Sequence, residues 1–139
     1  MLITDSYRQE QTNLHKTGKY GTASLQYGQV VSNLLDRLNS RSILDYGCGS
    51  MRNLLKVLAP QHAVQYQGYD PAIPEYNVKE PADLVVCIDV LEHIEPELLD
   101  NVLDDLRDLT RAWAYLTIHT GPAVKHLSDG RNAHLIQES

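Results

Sequence analysis

The segment Ser42-Ile-Leu-Asp-Tyr-Gly-Cys-Gly-Ser50 constrains the fold more than any other part of the chain. An apolar run that ends in an acid and two closely spaced glycines is what a strand-to-helix turn beside a ligand requires. Ile43 and Leu44 suit a buried parallel strand, while Gly47 and Gly49 permit backbone conformations and a close ligand approach that a Cβ would block. Asp45 falls at the carboxyl end of this strand, the edge at which open α/β sheets bind ligands. A glycine pair alone also fits a plain βα turn that uses glycine for packing, so the segments that follow have to discriminate.

Val64-Gln-Tyr-Gln-Gly-Tyr-Asp70 reads as a second short strand ending in an acid, and its distance from Gly49 fits one β-loop-α-β step. A carboxylate there can accept hydrogen bonds from both hydroxyls of a ribose, which gives Asp70 a natural role. Ala82-Asp-Leu-Val-Val-Cys-Ile-Asp-Val-Leu-Glu-His-Ile94 has the near-continuous apolar run of a strand buried on both faces, followed at once by Asp89, Glu92 and His93. Three strands therefore deliver polar groups to one edge.

The intervening segments read as helices. Leu25, Val30, Val31, Leu34, Leu35 and Leu38 fall mainly at helical spacing from Ala23 to Leu38, with Gly28 a local weak point and Asn39 and Ser40 loosening the end. Asn53 to Leu58 predicts a helix stopped by Pro60, its first N–H groups facing the ligand. Pro96 to Thr110 predicts a longer helix whose stripe is Leu98, Leu99, Val102, Leu103, Leu106 and Leu109, with Asp100, Asp104, Asp105 and Asp108 on a solvated face. Ala112 to Ile118 predicts another buried strand, with Trp113 and Tyr115 as packing residues. Strand and helix alternate, so the expected fold is α/β: a Rossmann-like, mostly parallel sheet with helices on both faces. Residues 1–22, rich in Thr, Gln, Lys and Gly, read as a polar arm or lid, and residues 23–139 as the domain.

At 139 residues, 42% of them hydrophobic, the chain suits one domain with a real core. A formal net charge of −6 argues against broad attraction to nucleic acid or an anionic membrane. Cys48 and Cys87 are isolated, without zinc-site spacing or the framework of a secreted domain, so they read as reduced structural thiols in a cytoplasmic protein, and no metal is expected. No run is long enough to span a bilayer, and the first residues lack the sections of a signal peptide.

Taken together, Ile43-Leu-Asp-Tyr-Gly-Cys-Gly49, Gly68-Tyr-Asp70 and Ala82 to Ile94 resemble the class I S-adenosylmethionine-dependent methyltransferases, whose domain is Rossmann-like. More narrowly, Tyr69-Asp-Pro-Ala-Ile-Pro-Glu-Tyr76 and Asp129-Gly-Arg-Asn-Ala-His-Leu-Ile136 are similar to segments of small methyltransferase-domain proteins of bacteriophages. The resemblance implies S-adenosylmethionine as cofactor and S-adenosylhomocysteine as product. It implies Asp45, Gly47 and Gly49 as contacts at the methionine end, Asp70 at the ribose, and Asp89, Val90 and Leu91 beside the adenosine and the transferred methyl. Methyl transfer is an in-line displacement, so a general base is needed only if the nucleophile must lose a proton. His93 and His119, each near the carboxyl end of a predicted strand, are the candidate catalytic bases; His134 is of the same type but harder to place.

Two departures from the family pattern stand out. Met51 and Arg52 follow the glycine pair where many members carry a third glycine, and Arg52 could serve as a forked donor to the cofactor carboxylate. The interval from Asp70 to Asp83 is too short for the usual helix, third strand and adenine-contacting acid; Pro71, Pro74 and Pro81 argue for an extended connection, with Glu80 the nearest substitute acid. The third strand is therefore expected to be minimal or absent. Too little chain follows Ile118 for the family's terminal strand pair, so the sheet edge is expected to be incomplete or to be covered by a second copy or another chain.

Function follows as an expectation in the same terms: methyl transfer to a small molecule or an exposed side chain. The alternative is a non-catalytic module that binds S-adenosylmethionine or acts through a partner. The signatures of amino-directed and cytosine-carbon DNA methyltransferases are absent from the sequence, and a dinucleotide oxidoreductase is disfavoured because Arg52 stands where the last glycine of G-x-G-x-x-G belongs.

Overall fold

A computed structural model describes residues 1–16, 23–58 and 64–137. Four strands, β1 (Ser42–Tyr46), β2 (Gln65–Tyr69), β3 (Ala82–Ile88) and β4 (Thr110–Thr117), form one sheet in the order β2-β1-β3-β4. All three pairings are parallel. The chain moves outward from β1 to β2 and then returns to lay β3 on the other side of β1. That reversal creates a switch point at the carboxyl ends of β1 and β3, where the loops diverge and leave a crevice.

The helices are α1 (Asp5–His15), α2 (Gly28–Leu38), α3 (Asn53–Val57) and α4 (Leu99–Leu109). Alternation along the strands sends Ile43, Leu84, Val86 and Ile88 to one face, where they pack with Val31 and Leu35 of α2 and Leu54 of α3. Leu44, Tyr46, Val85 and Cys87 go to the other face, against Val102, Leu106 and Leu109 of α4. Each fully buried apolar side chain contributes about 2 kcal/mol of transfer free energy, and β3, buried on both faces, holds the densest share. The result is a reduced Rossmann-like α/β fold.

Several expected boundaries shift. The segment Ala23–Leu38 divides into a 3-10 turn, Ala23–Gln26, and α2, which begins at Gly28 and ends where Asn39 adopts the left-handed conformation (φ 50°). Pro96–Leu98 forms a 3-10 turn ahead of α4. Leu103 proves to be surface-exposed, whereas Asp105, expected on the solvated face, is half-buried. No strand lies between Tyr69 and Ala82; the chain there makes a 3-10 turn, Pro74–Tyr76, with proline in its first turn. Pro60 lies outside the described residues.

The largest difference concerns β4. It was expected to be buried, but it is the outer strand and both of its faces are largely open: Trp113 is 55% and Leu116 41% exposed. Its run Ala112 to Leu116 is apolar, yet most of its side chains are left open. Beyond β4, the antiparallel element among the described residues is the bridge between His126 and Asn132. No helix among the described residues is long and apolar enough to cross a membrane.

Candidate functional site

The loops after β1, β2 and β3 open onto one cavity of about 270 Å³. Gly47 and Gly49 come from the first loop, Asp70, Pro71 and Ala72 from the second, and Asp89, Val90, His93 and Ile94 from the third. The opposite wall comes from the two ends of the described chain: Leu2, Ile3 and Gln11 on one side, and residues between Ala123 and His134 on the other.

The first loop turns through positive φ at Gly47 (85°) and Gly49 (72°). Glycine is needed at position 47 for a reason the motif did not reveal. A Cβ there would stand 2.4 Å from Val90 Cγ2, so the loops after β1 and β3 approach each other across a bare backbone. The amides of Gly47 and Cys48 both donate to the Tyr69 carbonyl, at 2.7 and 3.0 Å, which fastens this loop to the end of β2. Gly68 serves the same junction, since a Cβ on it would meet Cys48 Sγ at 2.9 Å. Burial first, then the nearby carboxylates Asp45 and Asp70, pushes the Cys48 thiol up; burial does the same at Cys87. Both cysteines are therefore packing groups.

Asp70 is buried and its orientation is set by two backbone donors. The Gly49 amide donates to Oδ2 at 3.1 Å and the Ala72 amide to Oδ1 at 2.9 Å. A carboxylate has about four acceptor sites, so a group held this way is suited to a vicinal diol in the cavity beside it. Asp89 takes a positive φ of 50°, uncommon for a residue other than glycine. It is held by Thr117 of β4, whose hydroxyl donates to Asp89 Oδ1 at 2.7 Å while the Asp89 amide donates back to the Thr117 carbonyl at 3.0 Å.

Four of the expected site residues lie off the cavity wall. Asp45 points toward the α3 face and accepts a hydrogen bond from the Tyr66 hydroxyl at 2.7 Å. Burial outweighs that bond, and the charge of Asp70 adds to it, so the Asp45 carboxyl is pushed up to about 7. Arg52 extends over the ring of Tyr76, 5.0 Å from its centroid, and caps the five-residue α3 in a left-handed conformation. Leu91 is part of the core against α4. His119 is exposed; its amide donates to Glu92 Oε2. The opening residues of α3, Asn53 and Leu54, are buried rather than turned to the ligand, and Glu80 is exposed.

His93 does line the cavity. Its Nδ1 lies 2.8 Å from the Ala133 carbonyl, and its ring stands edge-on to His134, 4.6 Å between centroids. The His119 ring lies 5.1 Å beyond His134. Glu92, almost fully buried, has Oε1 without a hydrogen-bond partner, and burial pushes its carboxyl up. Despite this grouping, no cluster of His, Cys, Asp and Glu among the described residues is arranged to hold a metal ion.

Helix α1 closes the N-terminal side. Thr4 caps it and gives its amide and hydroxyl to Glu95, at 2.8 and 2.9 Å. The buried Tyr7 donates its hydroxyl to the His93 carbonyl, and Thr12 donates to the Ala72 carbonyl at 2.9 Å. Of the wall residues that sequence reasoning did not reach, Tyr46 was signalled by its place at the end of the β1 motif. Leu2, Ile3 and Gln11 carried no such signal, because only the docking of α1 brings them here.

A parallel sheet with a crevice at its switch point, closed by loops bearing glycines and strand-end acids, defines a reduced Rossmann-like α/β domain. A family model described as a methyltransferase domain matches residues 21–138, and the chain belongs to that class I methyltransferase-domain family. Comparison with curated proteins gives no match.

Proposed function

We propose that the protein transfers a methyl group from S-adenosylmethionine to a small molecule, with S-adenosylhomocysteine as the second product. The observation that carries this reading is the convergence of Gly47 and Gly49, Asp70, and Asp89 with Val90 on one cavity at the switch point. The residues present suit such a ligand. Asp70 would accept from the ribose hydroxyls, and Val90 and Asp89 would border the adenosine and the methyl. The cofactor supplies an activated methyl on a sulfonium; the protein supplies alignment and exclusion of water. Met51 and Arg52, exposed and stacked on Tyr76 respectively, are outside this arrangement.

Two free, buried cysteines support a reducing, cytoplasmic setting. The open faces of β4 favour the second reading, in which the domain binds the cofactor but acts through a partner laid along that strand.

Isothermal calorimetry with S-adenosylmethionine, S-adenosylhomocysteine and NAD tests the reading. Binding of the first two and none of NAD is expected, and three flat titrations would refute it. Replacing Asp70 by Ala removes a charge-assisted acceptor and the anchor of two loop amides, so affinity should fall by about tenfold or more. Unchanged affinity would mean that Asp70 serves only the loops.

A further inference from the structure

We propose, resting on the methyl-transfer reading above, that the wall formed by residues 121–134 is the methyl-acceptor subsite. It takes a small apolar molecule bearing a hydroxyl group, and His134 removes the hydroxyl proton.

The proton acceptor follows from one hydrogen bond. His134 Nδ1 lies 2.7 Å from the Gly121 carbonyl oxygen. A carbonyl has no proton to give, so Nδ1 must carry the hydrogen, and the neutral ring keeps its basic lone pair on Nε2. His134 lines the cavity, half-buried, whereas His119 is exposed and off the wall. The His93 ring, perpendicular and close, holds the His134 ring from the side.

This wall is built rather than loose. The Asn132 side chain receives the amides of Ala123 and His134 and donates to the Ala123 carbonyl, each at 2.9 Å. The Ala133 amide donates to the Lys125 carbonyl at 3.0 Å, and the Ile136 amide to the Glu92 carbonyl at 3.0 Å. A base held by such a frame keeps its direction, which in-line transfer requires.

The acceptor class follows from what each wall offers. Both carboxylates lining the cavity, Asp70 and Asp89, are on the strand-end wall. The walls from the two chain ends present Leu2, Ile3 and Ala123 with Lys125 and His134. A hydroxyl finds apolar side chains there and an acceptor nitrogen on His134. In the step itself, the hydroxyl oxygen forms the new bond to the methyl carbon as the carbon–sulfur bond breaks and its electron pair stays on sulfur. The hydroxyl proton passes to His134 Nε2 and thence to solvent.

Histidine-resolved 15N NMR of the full chain, with and without saturating S-adenosylhomocysteine, tests this with phenol and anisole as probes, which differ only in whether the oxygen carries hydrogen or methyl. His134 should show the Nδ1–H form; phenol should shift its Nε2 resonance and anisole should not. His134→Gln should lose the preference for phenol while its affinity for S-adenosylhomocysteine stays the same. An Nε2–H form at His134, or equal responses to the two probes, overturns the proposal without any variant. Failure of S-adenosylhomocysteine to bind, with the phenol preference intact, would instead remove the choice of cofactor and leave the subsite standing.

Discussion

Asp45 shows how a single residue can satisfy a motif and yet do something other than touch the ligand. It ends β1 as the pattern requires, but alternation along the strand turns it to the α3 face beneath the glycine loop, with Tyr66 as partner. Its carboxyl, pushed by burial to about 7 in the fold and titrating near 3.8 when unfolded, is neutral in the folded protein over a range where the unfolded chain is ionised. The folded state therefore binds the extra proton. The resulting stability is complete below the unfolded value and is lost as pH rises through that window, by a few kcal/mol in all. Asp45→Asn cannot ionise, so urea unfolding should show the wild-type protein losing stability relative to the variant between about pH 4 and 7. Parallel curves across that range would mean that Asp45 is charged in the fold. Gly47 permits a similar separation of causes. Gly47→Ala faces both a positive φ and Val90, and should cost roughly 1–3 kcal/mol or more. Adding Val90→Ala should recover the steric part only, leaving the backbone part, which chemical denaturation of the single and double variants can resolve.

At the scale of elements, the connection between β2 and β3 replaces a strand and helix with a pin. Lys79 Nζ lies 2.5 Å from Asp105 Oδ2 of α4 and 4.4 Å from the centroid of Tyr69, and Tyr46 donates to the same carboxylate at 2.7 Å. Side chains from β1, β2, the connection and α4 thus meet at one half-buried charge. Its partial burial makes it worth more than a surface pair, so a double-mutant cycle of Lys79→Met and Asp105→Ala should give a coupling of about 1–2 kcal/mol. Zero coupling would mean that the segment is held by its prolines and packing alone. The acid was legible as one of four on α4, but not which of the four would turn inward. Spacing along a helix does not tell where a neighbouring loop will bring a lysine. The same limit explains β4: its apolar run Ala112 to Leu116 predicted burial, and burial depended on what packs across it.

For the whole molecule, the cavity exists because the two ends of the described chain are folded across the strand-end loops. Glu10 of α1 accepts from both the amide and the hydroxyl of Ser128, so the two walls also touch each other. Asn132→Ala removes three hydrogen bonds from the second wall. Amide exchange should accelerate across residues 121–136 and leave β1 and β3 protected, while equal acceleration in the strands would show that the wall is part of the core's cooperative unit. The sequence by itself determined the parallel sheet, its switch point and the acids and glycines that reach it, because those depend on short-range patterns: apolar runs, strand ends and turns that need glycine. Gly47, Asp70, Asp89 and His93 were legible for that reason, and Val90 through the family resemblance. Only the tertiary structure decided that Asp45, Arg52, Leu91 and His119 lie off the cavity and that His134 lies on it. Those outcomes depend on which face a strand presents and on contacts between residues far apart in the chain, and neither is written in local spacing.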